Sequence, residues 1–422
     1  MQTSEIIQKI QNDELNDKFL DIYEDSAKIN YQKERYIEAV KKFESFYGAG
    51  QAEIFSAPGR SEVGGNHTDH QHGKVLASSI NLDSIAVVRA SEDKVIRIIS
   101  DGYDEVVVSL DDLKVNPSEK ESTLALVKGV TAGFEKNGHK TGGFCAYITS
   151  DVLIGAGLSS SAAFETLIGT ILSGLYNKMN VSAIEIAIIG QYAENVYFGK
   201  PCGLMDQMAC SVGNLVYIDF ENPKVEKLDF NMAEYGYSLC ITDTKGSHAD
   251  LTDEYAAVPK EMKLVAKYFE KEVLRDVDFD DFVKNIPALR NLFGDRSVLR
   301  AMHFFMENQR VEKEVESLKQ KNINAFLTSV KDSGNSSFKY LQNVYSNSDI
   351  KNQNVSVALM MSDFFLKEKG VSRVHGGGFA GTIQAFVKTE FVPFYKNQMN
   401  NIFGKDSCKD LRIRKYGGIK VL

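Results

Sequence analysis

The chain has 422 residues, of which 43% are apolar and 25% are charged, so its composition excludes a small module or a disordered segment and suits two or three globular domains. The count of 49 Lys and Arg against 57 Asp and Glu gives a formal charge of −8, which disfavours nucleic acids and anionic membranes as partners. Five cysteines without CxxC spacing indicate a reducing cytoplasm, and no signal peptide or membrane span is predicted.

The predicted elements begin with helices and pass into a strand-rich region. Apolar residues recur at helical spacing through residues 1–46, which predicts two or three surface helices. The elements predicted next are short strands within residues 54–110, among them 74–80 and 84–90, then a helix at 123–135, a strand at 142–150 and a helix at 162–178. Further strands alternate with long charged helices at 253–270 and 301–319, so the sequence predicts two α+β layers that meet near residue 230.

The strongest local motif is the segment IGAGLSSSAAFE at residues 154–165. Its glycines permit close approach of the backbone, and its three serines precede an Ala-rich helix that begins about Ala162. N–H groups at a helix N-terminus favour an anion such as phosphate, although the Walker A lysine is absent and a plain helix cap is the alternative. The candidate phosphate-binding residues are Gly155, Ala156, Gly157, Leu158, Ser159, Ser160, Ser161 and Ala162.

A second motif, APGRSEVGGNHTDHQHGKVL at residues 57–76, concentrates polar side chains around glycines. These side chains are Arg60, Glu62, Asn66, His67, Asp69, His70 and His72. Zinc is a weak alternative here, because alternate side chains of an extended stretch point to opposite faces and a distant fourth ligand is missing. Turn chemistry alone does not explain an arginine, an aspartate and a histidine together, whereas a hydroxyl-rich ligand does.

The third motif is AENVYFGKPCGLMDQMAC at residues 193–210. Here Asp206 lies in an otherwise apolar stretch that follows a turn at Pro201–Gly203. A carboxylate in such surroundings requires a partner or a chemical function, so Asp206 is a candidate catalytic residue. The alternative is an aspartate that caps a helix after the turn.

The fourth motif, VHGGGFAGTIQAFV at residues 374–387, is a triple-glycine turn followed by a strand. Glycines permit a close approach to a bound phosphate, and we include Gly377 and Gly378 among the candidate nucleotide-binding residues. Glycine turns before strands are more often structural, so this motif carries little weight by itself.

Taken together, these motifs resemble those of the GHMP kinases in their order and spacing. Within that superfamily the second motif is similar to the galactokinase signature APGRxNxIGEHxDYxxG, and the resemblance covers most of residues 36–422. It implies a two-domain α+β fold, with a ribosomal-S5-like N-terminal domain at 36–230, a ferredoxin-like C-terminal domain at 231–422 and the active site between them. Residues 1–35 are then additional N-terminal helices.

The resemblance also implies an activity, the phosphorylation of the C1 hydroxyl of α-D-galactose by ATP with Mg²⁺ as cofactor. By position, Asp206 matches the catalytic aspartate, and Arg60 matches the arginine beside the anomeric hydroxyl and the γ-phosphate. A carboxylate base and a guanidinium suit these two tasks. Ser160 and Glu194 match magnesium-contacting positions, and oxygen atoms are what Mg²⁺ requires. The implied sugar-contacting residues are Asn66, His67, Asp69, Gly203 and Tyr255.

Departures from the family pattern leave the sugar open. Asn66 stands where the signature has Glu, which exchanges a carboxylate for an amide and admits another hexose or N-acetylgalactosamine as the acceptor. Val63–Gly65 replaces Leu-Ile-Gly, and Leu153 replaces a proline before the phosphate loop. A second alternative is a catalytically silent sensor that binds ATP and galactose, but the complete segment Ser159–Ala163 and the presence of Asp206 favour the enzyme. We expect a monomer or weak homo-oligomer with small-molecule partners only.

Overall fold

Two β-sheets organise the chain. The computed structural model describes residues 1–152, 157–221, 224–247 and 251–422. The first sheet contains β1 (Glu53–Gly64), β2 (Lys74–Ala90), β3 (Val95–Ser100), β4 (Val106–Ser109), β5 (Phe144–Ser150), β6 (Leu215–Asp219), β7 (Lys224–Leu228) and β12 (Ile419–Lys420). The second sheet contains β8 (Tyr237–Asp243), β9 (Gly370–His375), β10 (Thr382–Lys388) and β11 (Cys408–Leu411).

Helices cover both sheets. Those associated with the first sheet are α1 (Thr3–Gln11), α2 (Asn16–Tyr23), α3 (Ile29–Tyr47), α4 (Thr123–Lys136), α5 (Ser160–Asn177), α6 (Ala183–Tyr192) and α7 (Met205–Val212). Those that follow are α8 (Thr252–Tyr268), α9 (Phe279–Phe293), α10 (Asp295–Lys319), α11 (Ile323–Ser336), α12 (Asn354–Leu366) and α13 (Val392–Phe403). The mixture of helices and mainly antiparallel strands confirms the predicted α+β class.

The 17-residue strand β2 is the centre of the first sheet. It pairs with β1 along most of its length, with β6 at its beginning and with β5 at its end, always antiparallel. Alternate residues of β2 enter two different cores: Val87 packs with α1 to α3, whereas Val88 packs with α4 to α6. Because both faces of the sheet are covered in this way, its strands are apolar on both sides.

The N-terminal helices are fixed to the first sheet by a buried charge cluster. Asp83 in β2 is fully buried and contacts Nη1 of Arg35 at 2.6 Å and Nη1 of Arg414 at 2.9 Å. The hydroxyl of Tyr23 donates a third hydrogen bond to the same carboxylate at 2.9 Å. One acid therefore joins the N-terminal helices, the central strand and a segment near residue 414.

The second sheet has the strand order β11-β8-β10-β9, with every neighbouring pair antiparallel. Its alternate residues again enter two cores: Ala385 packs with α12 and α13, whereas Phe386 packs with α10 and α11. The core that contains Phe386 also contains Leu76 and Ile80 of β2. This shared core joins the two sheets along the side where the sequence motifs converge.

The chain passes from the first sheet to the second between Leu228 and Tyr237 and returns at its far end. There β12 pairs with β1, with Lys420 opposite Phe55. The proposed limits 36–230 and 231–422 remain a prediction, and the returning strand lies in the first sheet rather than the second. In the described ranges, no helix is long and apolar enough to cross a membrane.

Candidate active site

Arg60 and Asp206, far apart in the sequence, meet in a two-point ion pair. Arg60 lies where bulges interrupt the pairing of β1 with β2, and Asp206 lies in the first turn of α7. Arg60 donates from Nε to Oδ1 and from Nη2 to Oδ2, each at 2.7 Å, a bidentate geometry that strengthens the contact. The Arg60 side chain is 9% exposed and that of Asp206 30%, so a ligand from solvent reaches the carboxylate first.

The serine motif contacts this ion pair directly. The hydroxyl of Ser159 donates to Oδ2 of Asp206 at 2.6 Å, and the left-handed backbone of Ser159, with φ 57°, turns the chain into α5. Nη1 of Arg60 donates to the carbonyl oxygen of Gly157. Of the other predicted phosphate-binding residues, Leu158, Ser160, Ser161 and Ala162 lead into α5, whereas Gly155 and Ala156 lie outside the described residues.

The charge of Arg60 controls the protonation of Asp206. Burial alone would raise the pKa of Asp206, but Arg60 and Ser159 lower it below its ordinary value. Asp69 shows the opposite effect, because burial raises its pKa and the negative charge of Asp206 contributes further. Carboxylates whose pKa values are displaced in opposite directions are typical of sites that transfer protons.

The triple-glycine turn, Gly376–Gly378, orients the residues predicted to contact the sugar. Its three successive carbonyl groups accept hydrogen bonds from Nδ2 of Asn66 at 2.7 Å, from Nε2 of His67 at 3.0 Å and from the hydroxyl of Tyr255 at 2.8 Å. The turn therefore contacts the sugar side of the predicted site. The assignment of Gly377 and Gly378 to the nucleotide remains a prediction.

His67 and Tyr255 are both neutral at pH 7. Burial lowers the pKa of His67 to about 4 and raises that of Tyr255 to about 12. Since a carbonyl oxygen only accepts, Nε2 of His67 carries the proton and Nδ1 is the acceptor. His67 thus carries a neutral acceptor whose orientation is set by the turn, and its contact with the sugar stays a prediction.

Asn66 is located differently from the other predicted sugar contacts. Its side chain is completely buried, and its amide donates to Oε1 of Glu62 at 2.9 Å as well as to the turn. Its oxygen accepts from Nδ2 of Asn343 at 2.8 Å and from the hydroxyl of Ser337 at 3.2 Å. All polar atoms of the Asn66 side chain are therefore engaged inside the protein, and its direct contact with the sugar stays a prediction.

Asp69 and Gly203 are brought together from two motifs. Asp69 begins a short 3-10 turn after β1, and its Oδ2 lies so close to Gly203 that a Cβ atom at that position would overlap it. Only glycine therefore leaves the Asp69 carboxylate in its place. This contact connects the Pro201–Gly203 segment with the second motif.

Glu194 lies beside the beginning of α5. Its Oε1 accepts from the hydroxyl of Ser161 at 3.3 Å and contacts Nζ of Lys200 at 3.3 Å. Ser161 is thus a hydroxyl in contact with Glu194, and the assignment of Ser160 and Glu194 to magnesium stays a prediction. Carboxylate and hydroxyl oxygens are the donors that Mg²⁺ takes, with phosphate and water completing its octahedron, so these residues fit the ion.

The zinc alternative requires a metal site made mainly of protein side chains. Among the residues that the structure describes, no three His, Cys, Asp or Glu side chains are grouped to hold a metal ion. In the histidine-rich motif, His67 is bound to the glycine turn, and burial lowers the pKa of His70 to about 3. This arrangement gives no support to the zinc alternative, whereas a magnesium site needs fewer protein ligands.

Glu165 and Gln207 are site residues that the sequence analysis does not identify. Nε2 of Gln207 donates to Glu165 at 3.0 Å and to Glu194 at 2.7 Å, so one amide bridges two buried carboxylates. Burial, with the charge of Glu194, raises the pKa of Glu165 well above its ordinary value. The sequence does contain a signal for Glu165, because it is a carboxylate in an apolar helix, the same feature that identifies Asp206.

Two family models match the chain. The model described as the GHMP kinases N terminal domain matches residues 125–214, and the one described as the galactokinase galactose-binding signature matches residues 41–90. The first match contains the serine motif and Asp206, and the second contains Arg60 and Asp69. Both halves of the ion pair therefore lie within matched segments.

Curated and solved relatives agree with the family models. Galactokinase from Actinobacillus pleuropneumoniae serotype 3 is 31% identical over 362 residues, which are 84% of this chain and 90% of that protein. Galactokinase from Streptomyces coelicolor is 28% identical and covers 88% of this chain and 94% of that protein. The crystal structure of Lactococcus lactis galactokinase complexed with galactose matches at a TM-score of 0.77 and 23% identity, covering 90% of this chain and 98% of that one. These likenesses confirm the GHMP kinase fold.

Proposed function

Since this chain belongs to the galactokinase family of GHMP kinases, we propose that it transfers the γ-phosphoryl group of ATP to the C1 hydroxyl of α-D-galactose. The chain is an ATP-dependent sugar kinase, and galactose and the residue roles are our proposal. The observation that carries the proposal is the bidentate Arg60–Asp206 pair held by Ser159 at the beginning of α5.

Asp206 is the proposed base. A carboxylate offers about four lone-pair sites. Arg60 occupies two of them and Ser159 a third, which leaves one for the proton of the sugar C1 hydroxyl. The lowered pKa keeps Asp206 ionised at neutral pH, although it also weakens the carboxylate as a base. We therefore assign Asp206 the task of orienting the C1 hydroxyl and accepting its proton as the O–P bond forms.

Arg60 is the proposed phosphoryl-stabilising group. A guanidinium has five N–H donors in a fixed fork. Three of these are directed to Asp206 and to the carbonyl oxygen of Gly157, so two remain for the oxygen atoms of the transferring phosphoryl group. Because Arg60 is buried and held in place before substrate arrives, it stabilises the developing charge without reorganising.

ATP and Mg²⁺ are assigned to the serine motif and Glu194. The N–H groups at the beginning of α5 and the dipole of this 18-residue helix favour phosphate at that end. Mg²⁺, when bound through Glu194 and a serine hydroxyl, supplies positive charge that neutralises the phosphate oxygens. Lys200 contacts the same Glu194 oxygen and therefore competes with the ion for it.

The sugar is assigned to the other side of Asp206. Asp69 is an acceptor for sugar hydroxyls, Nδ1 of His67 is a second acceptor, and Tyr255 borders the turn that fixes His67. The alternatives are another hexose and N-acetylgalactosamine. Because Asn66 is engaged inside the protein, its difference from the signature gives no direct reason to prefer them to galactose.

The test is ATP-dependent formation of galactose 1-phosphate by the purified protein, followed by ³¹P NMR. Glucose, mannose and N-acetylgalactosamine serve as competing acceptors, and protein without Mg²⁺ serves as the control. We expect turnover with galactose to exceed that with the other sugars. Turnover of N-acetylgalactosamine alone would refute galactose as the substrate, and binding of ATP and galactose without product would support the sensor instead.

We also propose a cytoplasmic location and a monomer or weak homo-oligomer with no nucleic-acid or membrane partner. The five cysteines are unpaired, which suits a reducing compartment. The negative net charge supports the absence of polyanionic partners. Cell fractionation and sedimentation of the purified protein test these two expectations.

A further inference from the structure

Two positions where this chain departs from the galactokinase signature are in direct contact. The signature APGRxNxIGEHxDYxxG has Asn where this chain has Glu62, and Glu where this chain has Asn66. Nδ2 of Asn66 donates to Oε1 of Glu62 at 2.9 Å, and both side chains are buried. The chain thus carries the same two functional groups as the signature, with their positions exchanged.

A buried arginine accounts for a carboxylate at position 62. Arg373 in β9 is 0% exposed and donates from Nη2 to the same Oε1 of Glu62 at 2.8 Å. Its Nη1 donates to the carbonyl oxygen of Val63 at 2.6 Å, which fixes the guanidinium against β1. Burial nevertheless raises the pKa of Glu62 to about 7, against the opposing effect of Arg373, so burial and the charge of Glu62 would both oppose a second carboxylate placed in contact with it.

The same contacts reach the triple-glycine turn. The second N–H of the Asn66 amide donates to the first carbonyl of the turn at 2.7 Å. Nδ2 of Asn343 contacts both Oδ1 of Asn66, at 2.8 Å, and the second carbonyl of the turn, at 3.2 Å. That second carbonyl also accepts from His67, so the position of His67 depends on the side chain at position 66.

A third departure belongs to the same interior. Gly64 replaces the isoleucine of the signature, and a Cβ atom on Gly64 would overlap Oε2 of Glu314 in α10. Glu314 is completely buried, and burial raises its pKa well above the ordinary value. The space that isoleucine would fill is therefore taken by a buried carboxyl group of this chain, and the departures of the second motif fit one another.

We propose that Glu62 and Asn66 are a matched pair of positioning residues which, together with Arg373, fix the triple-glycine turn and so orient His67 and Tyr255 toward the sugar. The pair acts through its hydrogen bonds to the turn and to Arg373. The inference rests on the proposed function, because it predicts an effect on the binding of the sugar and not on the binding of ATP. It also predicts that a carboxylate at position 66 requires an uncharged partner at position 62.

The test is a double-mutant cycle of substitutions that preserve side-chain length: Glu62→Gln, Asn66→Asp and the two combined. For each protein we would measure the galactose Kd by calorimetry, KM for galactose and for ATP, kcat and Tm. Asp83→Asn is the matched control, since it alters a buried carboxylate of the same sheet, paired with arginines, away from the glycine turn.

We expect Asn66→Asp to weaken galactose binding at least about tenfold with KM for ATP within about twofold, because it opposes a second carboxylate to Glu62 and removes the donor to the turn. Adding Glu62→Gln should restore most of that loss while remaining short of wild type, since the turn carbonyl still lacks its donor. Asp83→Asn should lower Tm without changing the galactose Kd.

Additive effects in the cycle, or an unchanged galactose Kd in Asn66→Asp together with a lower Tm, would overturn the matched pair. If Asn66→Asp does not fold, recovery of folding in the double variant supports the pair, and galactose binding by Asn343→Ala tests the connection to the turn in its place. A wild-type protein that neither binds nor phosphorylates galactose overturns both proposals, whereas an active wild type with an additive cycle overturns only this one.

Discussion

Replacing Asp206 by asparagine removes the charge of the carboxylate and keeps its shape. The amide group has one oxygen, so only one of the two 2.7 Å contacts with Arg60 is retained and the other becomes a donor facing a donor. A positioned general base contributes about 10²- to 10⁴-fold, or about 3–5 kcal/mol of transition-state stabilisation. We therefore expect kcat to fall by at least about a hundredfold.

Stability should change less than the rate. Arg60 loses its counter-charge while 7% exposed, and breaking a fully buried pair costs about 3–5 kcal/mol. Because the Asp206 side chain is 30% exposed, water replaces part of the lost interaction, and we expect about 1–3 kcal/mol. The protein should remain folded, so the two effects separate when thermal unfolding is measured beside initial rates of ADP formation at saturating ATP and galactose.

Ser159→Gly is the matched comparison. It removes one hydrogen bond to Asp206, leaves the ion pair intact and suits the left-handed backbone at that position. Because Ser159 lowers the pKa of Asp206, its loss should move the acidic limb of the kcat profile to higher pH, with a smaller loss of rate than Asp206→Asn. A kcat for folded Asp206→Asn within about threefold of wild type would refute the base assignment.

Three further predictions concern magnesium, the sugar and pH. Glu194→Gln should raise the Mg²⁺ concentration for half-maximal activity about tenfold or more, whereas Lys200→Met should lower that concentration by removing the competing cation. A shift in the same direction for both variants would contradict a magnesium site at Glu194. Gly203→Ala should raise KM for galactose about 10- to 100-fold with KM for ATP unchanged, because the new methyl group displaces the Asp69 carboxylate. Steady-state kinetics with each substrate varied measure both constants, and a rise in KM for ATP with KM for galactose unchanged would contradict this role of Gly203. The folded-state pKa of Glu62, about 7, lies above its ordinary value of 4.5, so the stability that protonated Glu62 contributes is complete below about pH 4.5 and is lost as pH rises to about 7. Across that pH range, the free energy of unfolding in urea should fall for wild type relative to Glu62→Gln. The same pH dependence in both proteins would exclude a raised pKa for Glu62.

Much of the site could be predicted because its chemistry is local. The isolated carboxylate Asp206, the serines before an apolar helix and Arg60 each stand out from their neighbours in the sequence. The partners of Asn66 could not be predicted in this way, because Asn343 and the glycine turn are 277 and 310 residues away and contact it only through folding. Residue type indicated a sugar contact, and it gave no sign of these internal hydrogen bonds.

The strands show the same limit. Residues 74–80 and 84–90 are predicted as two short strands because Asn81 and Asp83 interrupt the apolar pattern, yet they form the single strand β2. Arg35 and Arg414 neutralise Asp83 and allow it to remain within the sheet. Neither arginine is near it in the sequence, so periodicity alone could not reveal that a buried charge is tolerated there.

The return of β12 to the first sheet has a consequence for synthesis. On the ribosome, β1 emerges early, whereas the strand that covers its outer side is made only after the whole second sheet. Until then the nascent polypeptide presents an open strand edge, the feature that most readily pairs with foreign chains. Synthesis of residues 419–420, rather than completion of the N-terminal half, is therefore the step after which β12 can cover Phe55 and Ser56 at the edge of β1.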